Sequence, residues 1–272
     1  VKIRVGVLQF DIALGDRERN RATLRRWLSS ALVPSELPTA VTVPEIWDVG
    51  YALDRAGQLA DPEGAGAAEF LGSAAREYGV WFVGGSVLAS TSEGFANRAQ
   101  VIDPQGRLVA HYDKAHLIRL MDEDKYFVPG RTTCRFDLAG VRAGCVICYD
   151  IRFCEWVRLY ALEGAEVLFV SAEWPASRID HWEALLRARA IENQMFVVAC
   201  NRCGTTDGTR FGGRSMILGP KGETLFRAGE GEEAGFVTID TDEVARTRSF
   251  LTVFKDRAPE AYGALTTQKQ EG

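Results

Sequence analysis

Apolar and polar positions switch between two periods along the whole chain. Residues 2–10 form an apolar run of strand length, and residues 17–32 place Leu24, Trp27, Leu28 and Ala31 at helical spacing. The pattern continues as strand 40–47, helix 65–78 and strand 80–88. Segments 99–103 and 107–112 then flank Pro104-Gln105-Gly106, a hairpin turn signal. The second half repeats this plan with strand 141–149, helix 155–162, strand 166–172, long helix 182–193 and strand 195–201. Its hairpin runs from 215–218 to 223–226 around Pro220-Lys221-Gly222. Alternating strands and helices predict an α/β layered fold. Single residues repeat too: Val101-Ile-Asp-Pro-Gln-Gly-Arg-Leu108 echoes Ile217-Leu-Gly-Pro-Lys-Gly-Glu-Thr224, and Pro44-Glu45-Ile46-Trp47 echoes Ala172-Glu173-Trp174. Two half-sheets from an internal duplication are therefore expected in a single domain, 1–272. Residues 246–272 read as a C-terminal extension whose resting place the pattern leaves open.

Composition narrows the function classes. The chain has 272 residues, 46% of them apolar and 25% charged, which suits one globular core. Its net charge of −5 and lack of a Lys/Arg-rich run argue against a nucleic-acid surface. The densest basic stretch, 17–26, reads as the solvated face of a helix. No segment approaches the roughly 18 apolar residues of a membrane span. The chain opens directly in a strand pattern without a leader-like segment, so a soluble, cytoplasmic protein is expected. Two Cys-x-x-Cys pairs, Cys145/Cys148 and Cys200/Cys203, raise the question of zinc. Residues three apart on a strand point to opposite faces, so the first pair cannot chelate one ion without a bulge. A thioredoxin-like redox pair belongs at a helix N-terminus. No metal and no cofactor are expected, and Cys134, Cys145, Cys154, Cys200 and Cys203 read as reduced hydrophobes.

Cys148 stands apart from these, where the apolar run 141–149 breaks into Asp150, Arg152 and Glu155. A thiol at the carboxyl end of a strand lies where α/β proteins place catalytic groups. Such a thiol is ready to attack a carbonyl or nitrile carbon. Glu45 and Lys114 fall at comparable strand ends, and Glu173 takes the position equivalent to Glu45 in the second half. All are expected to meet in one crevice.

With these residues in order, the chain resembles the nitrilase, or carbon–nitrogen hydrolase, superfamily over nearly its whole length. The resemblance is carried by Val43-Pro-Glu-Ile-Trp-Asp-Val-Gly-Tyr51, Tyr112-Asp-Lys-Ala-His-Leu117, Val146-Ile-Cys-Tyr-Asp-Ile-Arg-Phe-Cys-Glu155 and the block at His181-Trp182 and 187–194. It implies Glu45 as general base, Lys114 as cationic stabiliser, Cys148 as nucleophile and Glu123 as the additional glutamate. The backbone N–H of Tyr149 joins Lys114 as an oxyanion donor. Cys154 departs from the proline common at its position, with a packing effect expected. The implied fold is an α-β-β-α sandwich, whose protomers pair through the helices after Cys148 and around 182–193 into an α-β-β-α-α-β-β-α homodimer or larger assembly. Partners are a small amide substrate and water.

The stretch Ser171-Ala-Glu-Trp-Pro175 with His181-Trp182-Glu183 looks like the omega-amidase-like branch, which acts on 2-oxo acid amides. Arg152 then suits a substrate carboxylate, Glu173 a polar contact and Trp174 an apolar wall. Arg152 as a local ion-pair partner of Glu155 or Asp150 is the competing role. For Glu123 the competing reading is a solvated loop, and His116 and His181 read as structural. A broad aliphatic amidase, a nitrilase, an N-carbamoyl amide hydrolase and a non-catalytic binding module on the same scaffold stand as alternatives.

Overall fold

The computed structural model describes residues 1–263. Its first half contains β1 (Lys2–Gln9), α1 (Arg17–Ala31), β2 (Thr39–Thr42), α2 (Ala65–Tyr78), β3 (Trp81–Thr91), β4 (Gly94–Ile102) and β5 (Leu108–Asp113). The second holds β6 (Cys134–Leu138), β7 (Val141–Ile147), α3 (Cys154–Leu162), β8 (Val167–Ala172), α4 (Ile179–Asn193), β9 (Phe196–Asn201), β10 (Met216–Leu218) and β11 (Thr224–Arg227). Strand β12 (Glu233–Asp240) and helix α5 (Asp242–Phe250) follow.

The two sheets share one topology. In the first, β1, β2 and β3 run parallel and β4 and β5 fold back antiparallel. In the second, β7, β8 and β9 run parallel, and β10 and β11 fold back. Each opening strand also gains an antiparallel neighbour, β12 beside β1 and β6 beside β7. Neither edge strand was visible in the periodicity.

Amphipathic helices close the outer faces. Helix α1 starts where the Asp16 carboxylate accepts the Arg19 N–H at 3.1 Å. It buries Leu24 and Leu28 with Leu71 and Ala75 of α2 against Val41 and Phe82. On the second sheet, Val157 and Tyr160 of α3 and Trp182 and Leu186 of α4 join Phe169 and Val198 in one cluster. That cluster also takes in Val5, Val7, Ala99 and Val101, so the sheets meet face to face. Each large apolar side chain buried this way contributes about 1.5–3 kcal/mol. The result is the expected α-β-β-α sandwich.

One boundary differs in a way that matters for the site. The apolar run 40–47 stops being strand at Thr42, because Pro44 lacks an N–H for a ladder and Ile46 turns to φ 40°. Val43, Ile46 and Trp47 are fully buried within a turn instead. This turn rests on a bulge in β3, where Gly84 and Gly85 both take φ 73°. A Cβ at Gly85 would meet Val43 Cγ2 at 2.2 Å.

The start of the C-terminal extension is docked. Gln194 Nε2 donates to Leu251 O at 2.9 Å, and Arg248 donates to Ala165 O at 2.8 Å, tying α5 to the ends of α4 and β8. The remainder of that extension, 264–272, lies outside the described residues. Among the described residues, no helix is long and apolar enough to cross a membrane.

Candidate active site

The turn after β2 is pinned before it presents any chemistry. Ser86, just past the glycine bulge, accepts the Ile46 N–H on its hydroxyl at 2.9 Å and the Trp47 N–H on its carbonyl at 3.1 Å. This fixes Glu45, which is fully buried. Its Oε1 accepts from Lys114 Nζ at 2.7 Å, Asn97 Nδ2 at 2.8 Å and the Tyr51 hydroxyl at 2.8 Å. Oε2 accepts the backbone N–H of Glu173 at 2.9 Å. Burial alone would push the Glu45 carboxyl up. Lys114, through charge and hydrogen bond, outweighs it with help from Glu173 N–H and Tyr51, and holds the group below its ordinary value.

Lys114 follows β5, where its N–H donates to Asn97 O at 2.9 Å and its carbonyl accepts from Gly130 at 2.9 Å. The ammonium spans Glu45 Oε1 and, at 2.8 Å, Glu123 Oε1. Burial opposes the charge, but Glu123, Glu45 and the Cys148 sulfur hold Lys114 well above its ordinary value. Glu123 is no solvated loop residue. It is fully buried, and its Oε2 accepts the Ile118 N–H at 2.8 Å.

Cys148 does not end its strand; β7 stops at Ile147. The residue opens a tight turn, Cys148–Arg152, with φ at 45°. A non-glycine residue in that region carries about 1–3 kcal/mol of strain and survives where its surroundings over-determine it. Asp150 supplies that control: Oδ2 accepts Ile147 N–H at 2.9 Å and the Tyr112 hydroxyl at 2.8 Å, while Oδ1 accepts His116 N–H at 3.0 Å. The His116 ring also meets Asp150 and stacks on Phe153 at 3.7 Å, a structural position. Burial pushes the Cys148 thiol well above its ordinary value. Glu45 adds to this, Lys114 opposes and Glu123 adds again. The resting group is therefore a thiol that needs a base. Cys145, by contrast, lies across from Cys134 in the β6–β7 ladder.

The remaining expected residues lie close by, with different partners. Among the described residues Arg152 makes no ion pair with Asp150 or Glu155. Its guanidinium lies 4.7 Å over the Trp174 ring and 5.9 Å from that of Tyr149, with Nη2 3.4 Å from His181 Nδ1. Trp174 donates to Arg178 O at 2.7 Å and is 3% exposed, so it is core on one side and roofed by Arg152 on the other. Glu173 reaches the set through its peptide, while its carboxylate Oε2 is taken by Arg202 at 2.5 Å. That differs from the polar substrate contact expected of it. Tyr51, Asn97, Asp150 and Arg202 were missed as site residues. Tyr51 and Asp150 at least lie inside quoted motifs, whereas Asn97 and Arg202 carry no local signal.

A buried Glu–Lys–Glu cluster beside a strained thiol is an arrangement that suits a cysteine hydrolase, and comparison shows the family. Residues 4–249 match the carbon-nitrogen hydrolase family, and the chain belongs to it. It is an enzyme that hydrolyses amides. It is 39% identical over 262 residues to the 2-oxoglutaramate amidase of Bacillus subtilis, covering 96% of this chain and 100% of that one. A CN-hydrolase superfamily protein of Xanthomonas campestris, solved with an arsenic adduct in its active site, superposes with a TM-score of 0.88 at 27% identity, over 95% of this chain and 98% of that one. An amidase from Nesterenkonia sp. AN1 superposes at 0.83 with 25% identity, over 96% and 95%. That structure is of a glutamate-to-glutamine mutant of the amidase, with the acetamide moiety of fluoroacetamide added covalently at the active-site cysteine.

Proposed function

We propose that the protein hydrolyses the terminal amide of a small 2-oxo acid amide such as 2-oxoglutaramate, through a thioester on Cys148. The observation that carries this reading is the Lys114 ammonium held between Glu45 and Glu123 beside a thiol whose proton is tightly held. The Cys148 proton passes to Glu45 as sulfur attacks the amide carbon. A C–S bond forms, and the carbonyl becomes an oxyanion facing Lys114 and the Tyr149 N–H. Collapse breaks the C–N bond, the Glu45 proton moves to nitrogen, and ammonia leaves. Water then attacks the thioester and gives a proton to Glu45. The C–S bond breaks, the carboxylic acid departs and the thiol is restored.

Selectivity for a carboxylate-bearing amide is supported by Arg152, whose guanidinium lies over an aromatic wall without a carboxylate partner among the described residues. The Bacillus subtilis likeness points the same way. A broad aliphatic amidase is the second reading, favoured by the Nesterenkonia likeness. Ammonia release from 2-oxoglutaramate, glutamine, propionamide, a nitrile and an N-carbamoyl amino acid separates them. A kcat/KM highest on 2-oxoglutaramate supports the first reading, and equal rates on propionamide support the second.

A homodimer or larger assembly through α3 and α4 is part of the proposal. Leu159 and Leu162 on α3 and Ile191 on α4 are 41%, 42% and 48% exposed, apolar side chains that a second copy would cover. A stable, active monomer by sedimentation at micromolar concentration refutes it. Six free thiols suit a reducing cytoplasm, the proposed location.

A further inference from the structure

Arg202 is 1% exposed and yet fully engaged, an unusual place for a guanidinium. It follows β9, and its N–H donates to Ala172 O at 3.0 Å. Nη1 pairs with Glu173 Oε2 at 2.5 Å. Nη2 reaches Asp11 Oδ1 at 2.9 Å, Ile12 O at 2.8 Å and Thr206 Oγ1 at 2.6 Å. The guanidinium also stacks 4.2 Å over Phe211. One side chain thus ties the loops after β1, β8 and β9. A buried ion pair is weak evidence for stability, because desolvation offsets most of the attraction. What this pair does hold is the peptide whose N–H meets Glu45 Oε2 at 2.9 Å.

We propose that the buried Arg202–Glu173 pair is a positioning device for the catalytic base, fixing the Glu173 N–H against Glu45 and setting a further carboxylate beside it, in addition to Glu123. The inference rests on Glu45 being the base. Its consequence is electrostatic as well as geometric. An ionised Glu173 makes Glu45 a better proton acceptor, because a like charge nearby favours the protonated form. The groups facing Glu173 are Arg202 and Asp11 on one side and Glu45 and Tyr51 on the other. Its Oε1 has no hydrogen-bond partner among the described residues. Burial pushes the carboxyl up, Arg202 pulls against it, Glu45 and Asp11 add to the rise, and Glu173 comes to about 7. Below that pH the added charge is lost and Glu45 becomes a weaker base.

The test measures kcat and KM for 2-oxoglutaramate from pH 5.5 to 8.5 in the full chain, with melting temperature alongside. Wild-type kcat is expected to rise through an inflection near pH 7, where Glu173 comes to about 7. Glu173→Gln keeps the peptide and the shape. It is expected to lower kcat about ten-fold, the scale of one charge-assisted contact, with KM within about two-fold and the inflection gone. Arg202→Lys is expected to retain more activity than Arg202→Met. Glu173→Gln with unchanged kcat and the same inflection overturns the proposal, as does a folded, fully active Arg202→Met. Should Arg202→Met fail to fold, the Glu173→Gln profile alone decides. Glu45→Gln that still acylates Cys148, read by mass spectrometry, instead removes Glu45 as the base of the first step, on which the inference rests, and confines it to the second.

Discussion

Glu45 and Glu173 follow equivalent strands in the two halves, β2 and β8, and face one another across the sandwich. The same residue type meets opposite surroundings there. Glu45 collects four donors, one of them the Lys114 ammonium, and stays below its ordinary value. Glu173 has one oxygen paired with Arg202 and one without a hydrogen-bond partner among the described residues, and burial carries it up to about 7 despite Arg202. A repeated topology therefore supplies two carboxylates, and the neighbours divide the roles between them. Two carboxylates pushed apart in acidity are a familiar route to distinct functions at one site.

The sharpest way to break this comparison is Glu45→Gln, since an amide keeps the shape but cannot take a thiol proton. Loss of about 10²–10⁴-fold in kcat is expected, the range of a general base. Mass spectrometry of the variant with substrate is expected to show little adduct on Cys148. Rapid accumulation of a full equivalent of acyl-enzyme confines Glu45 to the second step.

Lys114→Met asks what keeps the two carboxylates different. Without the ammonium, Glu45 and Glu123 share a buried site with no cation between them, and the Glu45 value is expected to rise. Removing one partner of a buried ion pair typically destabilises by about 3–5 kcal/mol. Denaturant unfolding monitored at neutral pH checks it. A loss under 1 kcal/mol means the carboxylates are held by Asn97, Tyr51 and the backbone instead.

How much of this was legible beforehand follows from where the information lies. Glu45, Lys114 and Cys148 fall just past strands within local motifs, so patterning pointed to them. The strand ends themselves were misplaced. Val43, Ile46 and Trp47 are as apolar as strand residues but fill a buried turn, and periodicity does not separate the two. Edge strand β12 pairs with β1 from the far end of the chain, Lys2 opposite Asp240, and no local window contains that contact. Arg202 was hidden for the same reason. It sits inside the Cys200/Cys203 pair, which drew attention to sulfur, while its partners Asp11 and Glu173 are distant in sequence. Asn97 reads as an ordinary strand residue until Glu45 is brought beside it.

The smallest expected effect compares two arginines of the second half. Arg202 is 1% exposed and spends its donors on fixed partners, whereas Arg152 is half-buried, laid over Trp174 with Tyr149 and His181 beside it and no carboxylate partner among the described residues. A guanidinium with donors to spare beside the crevice suits an incoming carboxylate, and its planar fork matches one bidentately. Arg152→Lys keeps the charge and loses the fork. KM for 2-oxoglutaramate is expected to rise by the equivalent of about 1–3 kcal/mol, the scale of a charge-assisted hydrogen bond. KM for propionamide, which has no carboxylate to pair, is expected to change little. An equal rise on both substrates makes Arg152 a packing partner of Trp174 and His181, and the broad aliphatic amidase then becomes the better reading.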